Sequence, residues 1–347
     1  MSINIPERIY NALHKPSTNQ TRGRSGLYPS EASVDIDGKV IGSCHRASWF
    51  RWNNYKPSGD INPDWSMAAI IGEWYHDGIV NLMRSMSHEL GFTILAAETG
   101  FFDPNHMISG RIDFLMRDNK TGKLQGIDTK SVGEFKGKKC IEWPSDDHVL
   151  QCAVYLKIYQ DNIAKQKDNS LETVDKWGIL YISRDENWDL KKKAHGSFLQ
   201  LFWQFDIEFE KDIVVVTNSQ GAKKKYSHIS VSNLFERYKK LLKLISTNSL
   251  PDREFERQYS EEKIVDLHKA KEIQFKKDQT VIDKWLKNGA PEGELGLKLG
   301  DSQCMFCSYQ EQCYSEDPLN WPKDNVPLVD IKSLAKPEQK SVIPNLF

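Results

Sequence analysis

SGRIDFLMRDNKTGKLQGIDTK, residues 109–130, is two β-like runs joined by polar turn chemistry. The cluster DNKTGK separates two apolar, partly alternating segments, which predicts strands over 107–116 and 123–132. Working outward, a DPN turn sets off a third strand over 93–102. Before it, residues 65–90 read as one long helix, with Asn62 or Asp64 as its cap and Gly91 as its stop. Downstream, Val149, Ala153, Leu156 and Ile163 fall at helical spacing and predict a helix over 147–164. The β-rich run KWGILYIS, 176–183, follows. The order is helix, three strands, helix, strand. Three strands so close in sequence pair as a meander, and a strand reached through a helix can join the same sheet in parallel. The fold class is therefore α/β, a mixed central sheet flanked by helices. Two more runs, 201–209 and 212–217, read as an added hairpin, and 231–247 and 261–288 as two long helices. The first 40 residues, rich in Pro, Gly, Ser and Thr, read as loosely structured, and 321–347 as a docked or flexible tail.

The chain has 347 residues, 39% hydrophobic and 27% charged, ample for a sizeable core. This composition excludes fibrous, mostly disordered and disulfide-miniprotein classes. With 47 basic and 48 acidic residues the net charge is −1, so any phosphate binding needs a local patch. No run of apolar residues is long enough for a transmembrane helix, and the N-terminal stretch lacks a secretory pattern. A cytoplasmic location is expected.

Side chains two apart on a strand share a face, so Asp128 and Lys130 point the same way. If the two strands are antiparallel neighbours, Asp113 sits beside Asp128. Two carboxylates among Ile112, Phe114, Leu115 and Ile127 repel unless a cation holds them. A divalent metal does so, and Lys130 helps. The long helix carries Gly72-Glu-Trp-Tyr-His76, and histidine is a common metal ligand. On the next helix, Gln151 and Tyr155 are spaced i, i+4 and share a face, with His148 three residues before Gln151.

The series G-x-x-x-H, G-x-x-D, D-x-K, Q-x-x-x-Y, from Gly72 to Tyr155, resembles the RecB-type branch of the PD-(D/E)XK nucleases. The resemblance implies a restriction-endonuclease-like core. It also implies His76, Asp113, Asp128 and the backbone carbonyl of Thr129 as metal ligands. Lys130 would polarise the attacking water, and Gln151 and Tyr155 would steady the site. Asp128 stands where Glu is also frequent in the family, shortening the reach by one methylene. Mg²⁺ or Mn²⁺ suits these donors, and the histidine tilts the preference weakly toward Mn²⁺.

Near the C-terminus, Cys304, Cys307 and Cys313 form C-x2-C-x5-C. Three clustered cysteines with a fourth elsewhere make a tetrathiolate site. Cys44, Cys140 and Cys152 are the candidates for the fourth. The arrangement resembles the iron–sulfur subgroup of these nucleases, which includes AddB-like and CRISPR-associated exonucleases. That resemblance implies Cys44 as the remaining ligand of a 4Fe–4S cluster, with Zn²⁺ in the same four-cysteine site as the alternative. The cluster would staple the chain ends together.

These readings define one nuclease domain over 1–320. Its core spans about 65–185, with helical additions at about 230–290. The expected function is metal-dependent hydrolysis of DNA, as an exonuclease on single-stranded ends in recombination, repair or DNA processing. A structure-specific endonuclease or a non-catalytic nucleic-acid-binding module are the alternatives. Lysine runs 136–139, 191–193 and 223–225 are candidate DNA contacts, with KGKK at 136–139 ranked first. Arg46, Trp49, Arg51 and Trp52 form a basic, aromatic stretch suited to stacking on single strands. There is no G-x-x-x-x-G-K-[ST] loop, so a helicase, recombination or CRISPR partner would act in trans. The setting expected is a bacterial cell or a phage-infected host.

Overall fold

Turn chemistry fixes the central hairpins. Between the two runs of 109–130, Asp118 Oδ1 accepts the Lys120 and Thr121 amides at 3.0 and 2.6 Å. Gly122 takes a left-handed φ of +73° that closes the turn. In the preceding turn Asp103 accepts from Asn105 and holds His106 at 2.7 Å. A computed structural model describes residues 26–58, 63–165, 174–184, 202–273, 275–289 and 295–324.

In chain order the larger elements are β1 (Ser33–Ile36), β2 (Lys39–Gly42), α1 (His45–Trp52), α2 (Pro63–Leu90) and β3 (Phe92–Asp103). Then come β4 (Ile108–Asp118), β5 (Leu124–Val132), α3 (Glu134–Cys140), α4 (Asp146–Lys165) and β6 (Val174–Ser183). The rest are β7 (Phe202–Glu210), β8 (Ile213–Asn218), β9 (Lys223–Ser230), α5 (Val231–Ser246), α6 (Glu261–Lys269), α7 (Lys276–Lys287), α8 (Ser302–Met305) and α9 (Gln310–Tyr314).

Strands β3 to β9 form one seven-stranded sheet in the order β3-β4-β5-β6-β7-β8-β9. Every pairing is antiparallel except β5 with β6, which run parallel and are joined through α3 and α4. The protein is thus α/β with a mixed central sheet flanked by helices. Helix α2 packs on β3 and β5. Its Ile79 and Val80 join Phe114, Ile127 and Ile182 in a buried cluster. Helix α4 packs on β6. Among the described residues no helix is long and apolar enough to cross a membrane.

Four features differ from the sequence expectations. Residues 33–42 make a hairpin rather than a loose segment. Asp37 and Gly38, with φ of +51° and +85°, supply the paired left-handed conformations that such tight turns need. The expected hairpin at 201–217 is part of a meander, because β9 adds to β8 and extends the main sheet. The single helix expected over 261–288 is two helices. Lys271 turns left-handed (φ +60°), and the Lys271 and Glu272 amides reach back to His268 and Leu267. Finally, a short helix that the sequence reading did not foresee, α3, carries KGKK and Cys140.

The chain divides into two compact units. The larger comprises Met1–Tyr55, Ile61–Pro251 and Pro322–Phe347, and the smaller Lys56–Asp60 and Asp252–Trp321. The sequence reading expects one domain over 1–320. The lysines at 191–193 and the tail from 325 lie outside the described residues.

Candidate active site

Two glycines let the helix and strands approach closely. A Cβ on Gly72 would come within 3.1 Å of Ser131 Oγ, so glycine keeps α2 close to β5 at the start of the G-x-x-x-H segment. One turn on, His76 Nε2 lies 3.0 Å from Asp113 Oδ2 on β4. A Cβ on Gly126 would meet the Trp177 ring at 2.3 Å, so that ring lies flat over β5. Trp177 in turn stacks on Tyr155 of α4, with centroids 5.2 Å apart and an interplanar angle of 14°. The Q-x-x-x-Y helix is therefore registered against the sheet by an aromatic ring resting on a glycine.

The ladder between β4 and β5 ends at Phe114↔Ile127, and Asp113 and Asp128 stand next beyond it. Asp113 Oδ2 accepts the Thr129 amide at 2.6 Å and the Thr129 hydroxyl at 2.7 Å. Lys130 Nζ lies 2.8 Å from Asp128 Oδ2 and donates to Gln151 Oε1 at 3.0 Å. Gln151 Nε2 donates to Asp128 Oδ1 at 3.3 Å and lies 3.4 Å from the Tyr155 hydroxyl, which donates to the Arg111 carbonyl at 3.1 Å. One cavity of about 580 Å³ is lined by His76, Asp113, Asp128, Thr129, Lys130, Gln151 and Tyr155.

A further carboxylate joins them. Glu98 on β3 places Oε1 2.9 Å from His76 Nδ1 and Oε2 2.8 Å from Arg111 Nε. Ligand atoms of His76, Glu98 and Asp113 all lie within 4.8 Å of one another, the only such group of three or more His, Cys, Asp or Glu among the described residues. No sequence motif marks Glu98. Register does: Ala97↔Phe114 and Thr99↔Ile112 put it across from Asp113.

Burial would raise the Asp113 carboxyl, but its hydrogen bond to His76, the His76 charge and the Thr129 amide hold it below the ordinary value. The same hydrogen bond raises His76. Burial pushes Asp128 up to about 6 against the pull of Lys130. Burial would lower Lys130, yet Asp128 lifts it to about 12, so it stays charged. Burial raises Glu98 and carries the Tyr155 phenol well above its usual value.

These donors fit a divalent cation. Asp128 Oδ2 and Glu98 Oε1 are buried and, among the described residues, accept no aligned hydrogen bond, although a cationic nitrogen lies close to each. A buried carboxylate oxygen left so exposed to bare charge is suited to a metal. His76, Glu98 and Asp113 lie close enough together to hold one ion, and Asp128 lines the same cavity as His76 and Asp113.

The cysteines behave differently. Cys44 belongs to the larger unit and Cys304, Cys307 and Cys313 to the smaller, so neither unit holds all four. The three thiols of the smaller unit do not gather within 4.8 Å of one another. Tetrahedral zinc, with Zn–S near 2.3 Å, would draw its thiolates to less than that. Nor are the described cysteines clustered as a 4Fe–4S site. Burial raises Cys304 to about 11, with Cys307 and Cys313 adding to the shift. Cys152, fully buried on α4, has its thiol pushed well up by burial.

The proposed nucleic-acid contacts fare unevenly. Trp49 and Trp52 are buried, at 1% and 4% exposure, so neither offers a stacking face. Arg51 pairs with Glu31. Lys136 pairs with Asp147, Lys138 with Glu134, Lys223 with Glu208 and Lys225 with Glu210. The two described lysine runs, 136–139 and 223–225, are ion-paired at these positions. Arg111, 64% exposed and bordering the cavity, is the cation that sequence patterning passed over. No family model matches the chain, and no curated protein shows significant similarity to it.

Proposed function

We propose that this protein is a divalent-metal-dependent nuclease that hydrolyses phosphodiester bonds in DNA, with single-stranded ends as its expected substrate. One observation carries the reading: His76, Asp113, Asp128, Lys130 and Gln151 line a single cavity, with Glu98 standing against His76 beside it. The order α2-β3-β4-β5-α4-β6, with β6 parallel to β5, agrees with a restriction-endonuclease-like core.

Hydrolysis adds water across a P–O bond: the hydroxyl goes to phosphorus and the proton ends on the leaving oxygen. Bound Mg²⁺ or Mn²⁺ would supply Lewis acidity and a lowered water pKa. The chain's own residues do the rest. Thr129 and His76 fix Asp113 so that its remaining lone pairs face the cavity. Lys130 stays protonated between Asp128 and Gln151, where its ammonium orients the attacking water and offsets charge on the phosphate. Gln151 and Tyr155 hold that lysine's surroundings rigid through the Arg111 carbonyl. The exposed Arg111 guanidinium receives the phosphate.

The test is cleavage of end-labelled linear single-stranded DNA, the same strand circularised, and duplex DNA, with Mn²⁺ or Mg²⁺. Metal-dependent loss of the linear strand is expected, abolished in Asp113→Asn and Lys130→Ala with folding intact. Cutting of circles would make the enzyme an endonuclease. Binding without cutting in either metal, or undiminished cutting by Lys130→Ala, would reject the assignment.

A further inference from the structure

A second cavity opens beside the catalytic one and shares Arg111, Gln151 and Tyr155 with it. Its volume is about 690 Å³, within the roughly 300–1,000 Å³ typical of small-ligand pockets. Its chemistry is unlike its neighbour's. The acids are gone, and Tyr28, Pro29 and Phe101 contribute the walls. Tyr28 is 39% exposed, while its backbone is pinned: its N–H donates to Glu31 Oε2 at 2.9 Å, and its carbonyl accepts the Tyr238 hydroxyl at 2.9 Å. Phe101 is buried edge-on against Tyr155, 5.6 Å away. The wall between them must be low. A Cβ on Gly110 would come within 2.7 Å of the Phe101 ring and 3.1 Å of Pro29 Cδ. The glycine of the G-x-x-D segment thus serves this cavity as well as the strand.

Ser109 lines the same cavity and is 6% exposed. Its Oγ has no hydrogen-bond partner among the described residues. That oxygen has almost no accessible surface, so Ser109 belongs to the cavity's floor. An aromatic face and a low glycine wall match a nucleobase, which offers a flat π-surface. Arg111 stands at the junction of the two cavities, so a phosphate gripped there has its own nucleotide directed toward this side.

We propose that the pocket of Tyr28, Phe101 and Ser109 takes the base of the nucleotide adjoining the scissile phosphate. Tyr28 is its stacking platform, and Phe101 and Ser109 form the floor beneath it. The proposal rests on the nuclease reading above and deepens it. A base can enter only when it is unstacked and unpaired, which selects single-stranded or frayed DNA over intact duplex.

The experiment uses the full chain with Mn²⁺ on end-labelled single-stranded oligonucleotides, each carrying one abasic residue moved stepwise along the strand. For the wild type we expect cleavage at the phosphate on one side of the abasic residue to fall about tenfold. Tyr28→Ala should lower cleavage of the intact strand by a similar factor and erase the abasic penalty, whereas Tyr28→Phe should keep both rate and penalty. Uniform cutting through the abasic position by the wild type, or a Tyr28→Ala chain that retains the penalty, overturns the pocket and leaves the nuclease standing. Absence of cutting by the wild type on every strand removes the nuclease reading and the pocket with it.

Discussion

Glu98 holds a left-handed φ of +53° inside a strand, a conformation that non-glycine residues adopt at a cost. Its contacts with His76 and Arg111 explain why the strain persists. Replacing it as Glu98→Gln keeps the shape but removes a ligand charge. The Mn²⁺ concentration giving half-maximal cleavage should then rise by about 10–100-fold, while the melting temperature stays near that of the wild type. An unchanged metal requirement would remove Glu98 from the site. His148 gives a second residue-scale test. Burial lowers it from 6.5 to about 3, so the folded chain keeps it neutral while the unfolded chain protonates it. Its stability contribution is therefore full above pH 6.5 and is lost as pH falls toward 3, about 1 kcal/mol by pH 5.5. His148→Gln should flatten the pH dependence of the denaturation midpoint in that window. His45, also lowered to about 3 by burial, would leave a residual slope. At this scale the motif residues were legible because their order and spacing resemble those of a known family. Glu98 was not, since one acid in a strand carries no motif, although counting back from the 103–108 turn aligns it with Asp113. Trp49 and Trp52 misled for the opposite reason: composition shows an aromatic side chain but not its burial.

At the scale of elements, the site depends on how closely α2 lies on the sheet. In Gly72→Val the Cβ would already press on Ser131 Oγ at 3.1 Å, and the added methyls push the helix outward. His76 would then withdraw from Asp113. We expect cleavage to drop at least tenfold through metal binding, with about 1–3 kcal/mol lost in stability. A denaturant titration beside a Mn²⁺ titration separates the two. Retained metal affinity would show that α2 need not sit so close. The element order was readable from sequence because each strand ends in explicit turn chemistry. The break between α6 and α7 was not, because Lys271 takes the left-handed position that glycine usually marks. The meander of β7 to β9 was half legible. The lysine-rich β9 reads as a DNA contact until Lys223 and Lys225 are found to reach across β8 to Glu208 and Glu210 of β7.

For the whole molecule the test is metal content, since Cys44 belongs to one unit and Cys304, Cys307 and Cys313 to the other. The iron–sulfur expectation rests on the family resemblance of the cysteine arrangement. Anaerobically purified protein should contain iron and acid-labile sulfide in equal amounts and absorb in the visible, and Cys307→Ser should lose both. A colourless protein carrying one zinc ion would establish the alternative, and one carrying neither would dismiss the staple.

The strictly sequential order of the seven-stranded sheet bears on how the chain comes into being. Each strand pairs with the one made just before it, so the sheet can be laid down as the polypeptide leaves the ribosome. The residues from His76 to Tyr155 are all synthesised before β7 exists. The N-terminal hairpin must wait much longer. The Asp35 amide binds Asn233 Oδ1 at 2.8 Å, and Arg237 donates to Ser33 Oγ at 3.2 Å, both from α5. A hairpin made well before α5 thus finds its place only after α5 exists, and until then the Tyr28 wall of the proposed pocket has no Tyr238 to hold it.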